Sequence, residues 1–265
     1  MGDTEMRTQL GTHHYGGWIR SLPGARAHLP VLHLPSVALP PTVDLSPYFP
    51  PAYDQGAAGS CTSQGWRGAY EALRAKEGEA YIPLSSLFIY YNERVIEGNP
   101  DQDAGAYIHD GSATLSQAGV CPESLWPYDL GKLYTKPPQE AYDAAVKSRL
   151  LQFSAVPNDE GSVKAALAAG LPIVLGFTVF ENFESTETAH TGVMAMPTGS
   201  ILGGHCVVVK GYGIPGHEDY YLMRNSWGPG WGFDGGNGGG DFLMPKAYLH
   251  DPNLCDELTV AQLVS

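Results

Sequence analysis

The sequence predicts an α+β fold built from two packed lobes. Helical patterns fill the first half of the 265-residue chain, whereas apolar runs rich in β-branched residues mark the second half. Hydrophobic residues make up 43% and charged residues 16%, a balance that indicates a folded core rather than a disordered chain. We therefore expect one domain over 43–265, with a helical lobe over about 55–150 and a β-rich lobe over about 151–250.

The best-supported helix covers residues 62–76. Trp66, Tyr70 and Leu73 recur at helical spacing and form one apolar face, while Gly65 and Gly68 indicate close packing against a neighbour. Four further segments also have helical patterns: 84–97, 111–118, 139–149 and 161–169.

Three strands are predicted at 172–180, 206–210 and 220–224. Pro215-Gly216 lies midway between the last two, so a hairpin turning there would place His205 opposite Asn225. Residues 1–42 instead carry repeated prolines, whose fixed φ favours an extended path. An ordinary surface extension is one interpretation of that segment.

Composition and charge exclude several classes of partner. The net charge is −13 and no basic run occurs, which argues against nucleic acid and anionic membranes. No apolar stretch is long enough for a membrane span, and no signal peptide is apparent, so the chain is either cytoplasmic or exported by a route that the sequence does not show. The Cys and His residues lack the short-spaced pairs of structural zinc sites, and no cofactor or metal is expected.

Three segments contain residues suited to nucleophilic chemistry. Cys61 immediately precedes the first predicted helix, where the helix dipole and unpaired N–H groups favour a thiolate. His205 opens an apolar strand, and Asn225 lies on the strand predicted to pair with it. Thiol, imidazole and amide together follow the logic of nucleophile, base and orienting group. Taken singly, a buried free thiol and a core histidine remain alternative interpretations.

Four segments together resemble the papain family of cysteine peptidases, in its bacterial branch. They are Gln55 to Cys61, Gly204-His205 followed by Gly211-Tyr212-Gly213, Asn225 to Gly232, and Val120 to Tyr128. Cys61 and His205 are 144 residues apart, within the spacing of about 130–150 residues found in that family.

The resemblance implies a papain-like two-lobe fold, with a helical left lobe, a β-barrel-like right lobe and the active-site cleft between them. It also implies a thioester acyl-enzyme at Cys61, with His205 as base and acid, Asn225 orienting the imidazole and Gln55 stabilising the oxyanion. Trp227 would shield the His–Asn hydrogen bond from water.

Substrate-binding positions follow from the same resemblance. Gly105 is similar to the glycine that pairs with extended substrate, and Gly176 and Gly203 would line a roomy, apolar specificity pocket. Gly204 is a further expected substrate-binding residue. Peptide or protein substrates and a protein inhibitor are the expected partners of a monomeric enzyme. An amidase or transglutaminase-type acyl transferase, and a non-catalytic binding module, are the alternative functions.

The sequence also departs from the family pattern. Ala58 stands where the family usually has a cysteine, so the family disulfide near the active site cannot form, and Cys121, Cys206 and Cys255 are expected to be buried free thiols. The long helical pro-region is absent. We therefore expect the short segment Trp18–Leu22 to lie across the cleft as an autoinhibitory element, with Trp18 or Ile19 as its anchor.

Overall fold

The computed structural model describes residues 16–22, 29–35, 38–148, 151–234 and 238–263. Within these ranges the chain forms seven α-helices and seven strands. The helices are α1 (Cys61–Lys76), α2 (Ser86–Glu97), α3 (Ile108–Gln117), α4 (Gln139–Ala145), α5 (Glu160–Ala168), α6 (Thr186–Thr191) and α7 (Lys246–Leu249). The strands are β1 (Val43–Asp44), β2 (Leu151–Ala155), β3 (Ile173–Phe180), β4 (Ile201–Ile214), β5 (His217–Arg224), β6 (Asp241–Pro245) and β7 (Cys255–Leu263).

All seven strands belong to one antiparallel sheet. Its order is β2-β7-β3-β4-β5-β6, and β1 pairs with β4 outside that path. Helices α1 to α4 lie between β1 and β2, and the other six strands all follow them in the chain, so the predicted α+β class is confirmed. The β-rich lobe was expected to end near residue 250, but the last strand of the sheet, β7, continues to Leu263. In the sheet, β7 lies between β2 and β3.

Helix α1 packs directly on the sheet. The Trp66 indole is fully buried, donates to the Ile108 carbonyl at 2.9 Å and meets the Phe153 ring edge-on at 5.1 Å. A Cβ at Gly65 would lie 3.1 Å from the Cys206 sulfur on β4, so only glycine leaves the contact unstrained. The close packing predicted from Gly65 is confirmed, and it fixes where the first residue of α1 lies relative to β4.

The hairpin between β4 and β5 turns near Pro215-Gly216, but its predicted register is wrong. Val208 pairs with Arg224 and Tyr212 with Tyr221, an offset of two to three residues produced by irregularities in β4. Extrapolated beyond Arg224, the last residue of β5, this offset would place His205 opposite Trp227, with Asn225 as a diagonal neighbour.

Parts of the N-terminal segment are extended, as predicted. Leu32 donates to the Ala155 carbonyl at 2.8 Å, and Ala155 donates to Pro30 at 2.9 Å, so this stretch lies along the end of β2. Residues 1–15, 23–28 and 36–37 lie outside the described residues. Within residues 16–22, Gly17 and Trp18 are buried in the groove that contains Cys61, whereas Arg20 and Leu22 are exposed.

Candidate active site

Cys61 is the first residue of α1. The Ser60 side chain makes no capping bond to the helix, and the thiol lies at the positive end of the helix dipole. Cys61 is nevertheless fully buried, and this burial raises the pKa of its thiol to about 12 despite hydrogen bonds from the backbone of Cys206 and Thr62. At neutral pH the covered thiol is therefore protonated and weakly nucleophilic.

The groove over this thiol is occupied by the segment that starts at Gly16. A Cβ at Gly17 would lie 2.8 Å from the Cys61 sulfur and 2.8 Å from the Gly59 carbonyl oxygen. The segment runs parallel to the chain at Ala106, which donates to the Gly17 carbonyl at 2.9 Å and accepts from Ile19 at 3.0 Å. Glycine is thus needed where the segment crosses the sulfur.

Trp18 anchors the segment on the other wall of the groove. Its side chain is buried against Gly176, where an added Cβ would overlap the indole ring. Gly204 accepts from the Trp18 N–H at 3.5 Å, and the indole N–H donates to Glu257 at 3.2 Å. Ile19 is only half-buried and contributes its backbone bond to Ala106, so the anchoring side chain is Trp18.

His205 and Asn225 form a buried pair. The imidazole Nε2 lies 2.8 Å from the Asn225 Oδ1, an oxygen that can only accept, so the proton belongs on Nε2 and Nδ1 is the basic nitrogen. Oδ1 also accepts from the Ser226 N–H at 2.8 Å, which fixes the orientation of the amide. Cys206, the next residue after His205, supplies the backbone hydrogen bond to the Cys61 thiol, so thiol and imidazole share this end of the groove.

The Trp227 ring covers the His–Asn pair. It stacks on the imidazole with centroids 4.9 Å apart and planes 25° from parallel, and it is 5% exposed. Phe177 meets the imidazole edge-on at 5.7 Å. The hydrogen bond to Asn225 therefore lies in an apolar setting, which strengthens it relative to bonds in water.

Gln55 is held between the nucleophile turn and the asparagine segment. Its Nε2 donates to the Ala58 carbonyl at 2.9 Å, and its Oε1 accepts from the Ser226 hydroxyl at 2.5 Å. A backbone bond from Gln55 to Ser226 at 2.9 Å reinforces the link. Because a primary amide has two N–H groups, this arrangement leaves Nε2 a second donor for an oxyanion.

The predicted glycines occupy different parts of the groove. Gly176 and Gly204 border the space filled by Trp18, whereas Gly203 pairs with Val179 in the β3–β4 ladder. Gly105 has a φ of +80°, and a Cβ there would overlap the Gly16 carbonyl. The backbone hydrogen bonds to the N-terminal segment are made by the next residue, Ala106, and not by Gly105.

The sequence interpretation missed three residues of the site: Ala106, Ser226 and Glu257. Ser226 follows Asn225 directly, so its position in the motif was the available signal. Glu257 lies near the end of the chain in β7 and adopts a φ of +57°, the only positive φ outside glycine among the described residues. No local pattern indicates that β7 inserts beside β3 and so delivers this carboxylate to the groove.

The remaining expectations concern thiols, metals and membranes. Cys121, Cys206 and Cys255 are free and buried, as predicted. Among the described residues no group of His, Cys, Asp and Glu could hold a metal ion. In the same part of the chain, no helix is both long and apolar enough to cross a membrane.

Comparisons with known proteins agree on one family. The family model described as papain family cysteine protease matches residues 39–236. An uncharacterized peptidase C1-like protein of Acanthamoeba polyphaga mimivirus is 37% identical over 224 residues, covering 80% of this chain and 70% of that protein. A cathepsin B-like protein of Giardia intestinalis is 27% identical, and the match covers 71% of this chain and 63% of the relative.

Solved structures show the same likeness. Xylellain, a cysteine protease from Xylella fastidiosa, superposes with a TM-score of 0.83 at 33% identity, covering 96% of this chain and 98% of xylellain. A digestive procathepsin L 3 from Tenebrio molitor reaches a TM-score of 0.69 at 20% identity, over 100% of this chain and 80% of its own, and supports the fold alone.

Proposed function

Because this chain belongs to the papain family of cysteine proteases, we propose that it hydrolyses peptide bonds with Cys61 as nucleophile and His205 as acid and base. The predicted family, the two-lobe α+β fold and the enzyme class are confirmed by the same matches. The assignment of roles to individual residues is the proposal, and it depends above all on the His205–Asn225 pair beside the helix that starts at Cys61.

The reaction follows from the geometry of these groups. His205 Nδ1 takes the thiol proton, and the thiolate sulfur bonds to the scissile carbonyl carbon, whose π electrons move onto oxygen. The Gln55 side chain and the Cys61 N–H stabilise that oxyanion, a contribution of about 3–4 kcal/mol where one such donor has been removed from another enzyme.

Collapse of this intermediate breaks the C–N bond, and the imidazolium gives its proton to the departing amine. Water, deprotonated by His205, then attacks the thioester and releases the acid and the thiol. Asn225 keeps the ring in the tautomer that each step needs.

Replacing Cys61 with alanine tests the nucleophile. In chains that also carry Trp18→Ala, which frees the covered thiol, cleavage of a fluorogenic peptide should fall to background, whereas Cys121→Ala in the same background removes another buried thiol and should retain activity. Unchanged cleavage by Cys61→Ala would reject the proposal. Adding a primary amine to the same assay tests the alternative function, because an acyl transferase would form the amide in preference to the acid.

We also propose that residues 16–22 keep the enzyme latent. The support is the burial of the thiol beneath Gly17, the raised pKa of Cys61 and the seating of Trp18 between the groove walls. A substrate carbonyl cannot reach the sulfur while this segment occupies the same space. Latency therefore depends on how tightly Trp18 and its hydrogen bonds hold the segment.

Trp18→Ala in the full chain tests this latency. Losing a buried indole costs about 3–5 kcal/mol in a protein core, so the segment should lift far more often and peptide cleavage should rise. Leu22→Ala is the matched control, because that side chain lies on the same segment and is 78% exposed. A folded Trp18→Ala protein that cleaves no faster than the parent would contradict the proposal.

The space vacated by Trp18 is the proposed specificity pocket, and it suits a large aromatic side chain. Its walls at Gly176 and Gly204 leave the volume that the indole fills. Gly176→Ala in the Trp18→Ala background should lower kcat/KM for peptides with tryptophan in this pocket more than for peptides with alanine there. Equal losses for both peptides would place the pocket elsewhere.

A further inference from the structure

The turn that precedes Cys61 is tied to the opposite side of the groove by a carboxylate. Asp103 accepts from the buried Gly59 N–H with both oxygens, at 3.0 and 3.2 Å. Gly59 is two residues before Cys61, and its carbonyl lies beneath the segment that crosses the thiol. Asp103 thus contacts the turn that presents the nucleophile.

The same carboxylate is linked to the edge that pairs with extended chain. The Tyr90 hydroxyl donates to Asp103 and accepts from the Gly105 N–H at 3.2 Å. Tyr90 is fully buried in α2, and burial together with the Asp103 carboxylate raises its pKa, so the phenol remains a donor at neutral pH. Ala106, the residue after Gly105, makes the two backbone bonds to the N-terminal segment.

From these contacts we infer that Asp103 is a positioning residue, which sets the Cys61 turn at a fixed distance from the backbone edge at Ala106. The inference rests on the proposed function, since it assumes that an extended substrate uses this edge. Ala58 rules out the family disulfide near the active site, and all four cysteines are free thiols. A hydrogen-bonded carboxylate therefore joins two segments of this active site without any covalent bridge.

The second anchor of the turn acts on different atoms. Tyr128 shares a 2.7 Å hydrogen bond with the Ser60 hydroxyl and donates to the Gln55 carbonyl at 2.8 Å. These bonds hold the start and end of the turn but not the Gly59 N–H. Loss of the Asp103 carboxylate would thus leave a buried N–H unpaired at Gly59, which borders the path that the N-terminal segment takes across the thiol.

The test compares Asp103→Ala and Asp103→Asn with Asp101→Ala in full chains that also carry Trp18→Ala. Asp101 is an exposed acid in the same loop, so it controls for lost charge. We normalise kcat/KM for a peptide to the concentration of Cys61 thiol that can be alkylated. This normalised value should fall by about 10²-fold in Asp103→Ala, because small displacements of reacting groups cause losses of this size. Asp103→Asn should recover activity to within about threefold, because its amide oxygen still accepts from Gly59. A purely structural role would lower thermal stability and leave kcat/KM per thiol unchanged.

Hydrogen exchange gives a readout that does not require activity. In the otherwise native full chain, Asp103→Ala should remove protection from the Gly59 amide, and Asp101→Ala should not. If Asp103→Ala does not fold, Tyr90→Phe replaces it in the test, because it removes the hydroxyl that bonds to Asp103. We expect its kcat/KM to fall by about tenfold. An active Trp18→Ala parent whose kcat/KM survives Asp103→Ala, or unchanged exchange at Gly59, overturns the inference. An inactive parent would instead count against the proposed function.

Discussion

Glu257 is the residue through which the proposed latency can be tested without emptying the groove. Its carboxylate accepts three hydrogen bonds from the N-terminal segment: from the Trp18 indole at 3.2 Å, the Ser21 N–H at 2.8 Å and the Ser21 hydroxyl at 2.7 Å. Glu257→Gln keeps the size and shape of this side chain and removes its charge. The substitution therefore weakens the segment's attachment without emptying the groove.

The expected magnitude follows from those three bonds. Hydrogen bonds to charged groups contribute about 1.5–3 kcal/mol and neutral ones about 0.5–1.5, a difference of about 1 kcal/mol for each bond. Three bonds give about 3 kcal/mol of lost attachment. Since about 1.4 kcal/mol is tenfold in an equilibrium constant, the fraction of chains with the segment lifted should rise about 10²-fold.

Alkylation of Cys61 by a low concentration of iodoacetamide measures that fraction. When lifting and reseating are faster than alkylation, the rate follows the population of the open form. We expect alkylation of Glu257→Gln to be about 10²-fold faster, while Glu140→Gln, at an exposed carboxylate of α4, should match the parent. Equal rates for parent and Glu257→Gln would refute the claim that this carboxylate holds the segment.

Three further predictions follow from other parts of the structure. In the Trp18→Ala background, Asn225→Ala should lower kcat for a fluorogenic peptide by about 10²-fold with KM nearly unchanged, because the imidazole loses its orienting acceptor; a rise in KM alone would contradict this role. Asp241→Asn should destabilise the protein by about 3–5 kcal/mol in urea unfolding, because it leaves two buried cations, Lys210 and Arg224, without their shared carboxylate; a loss below about 1 kcal/mol would contradict it. Burial and the neighbouring Asp110 raise the pKa of Glu97 to about 7 in the folded protein, so the folded state holds this proton more tightly and stability falls as pH rises from 4.5 to about 7. Glu97→Gln should flatten the pH dependence of the urea midpoint in that window, and an unchanged slope would contradict the assignment.

The local sequence pattern was sufficient to predict the helices around the nucleophile. The predicted helix 62–76 begins one residue early, at Cys61, and the predictions 84–97, 111–118 and 161–169 each overlap an observed helix. The last part of 139–149 becomes a 3-10 turn at Val146–Ser148. Helical periodicity reports which face is apolar, and that information is present within a few turns of sequence.

Strands were harder to predict from the sequence. Strands β1, β2, β6 and β7 were not predicted, and β4 extends well beyond the predicted 206–210. Short strands carry little periodicity of their own, because their stability depends on neighbours distant in the chain. The bulges in β4 shift its pairing with β5, and no local signal fixed that offset.

The sequence by itself identified the candidate chemical groups: a thiol at a helix N-terminus, an imidazole opening a strand, an amide proposed to orient it and a glutamine ahead of the thiol. Only the tertiary structure decided that Trp18 fills the groove, that Glu257 and Ala106 hold the segment there, and that Asp103 fixes the turn before Cys61. The physical reason is the range of the interactions concerned. Each motif is recognisable within a few consecutive residues, whereas Glu257 meets Trp18 across 239 residues because β7 inserts between β2 and β3.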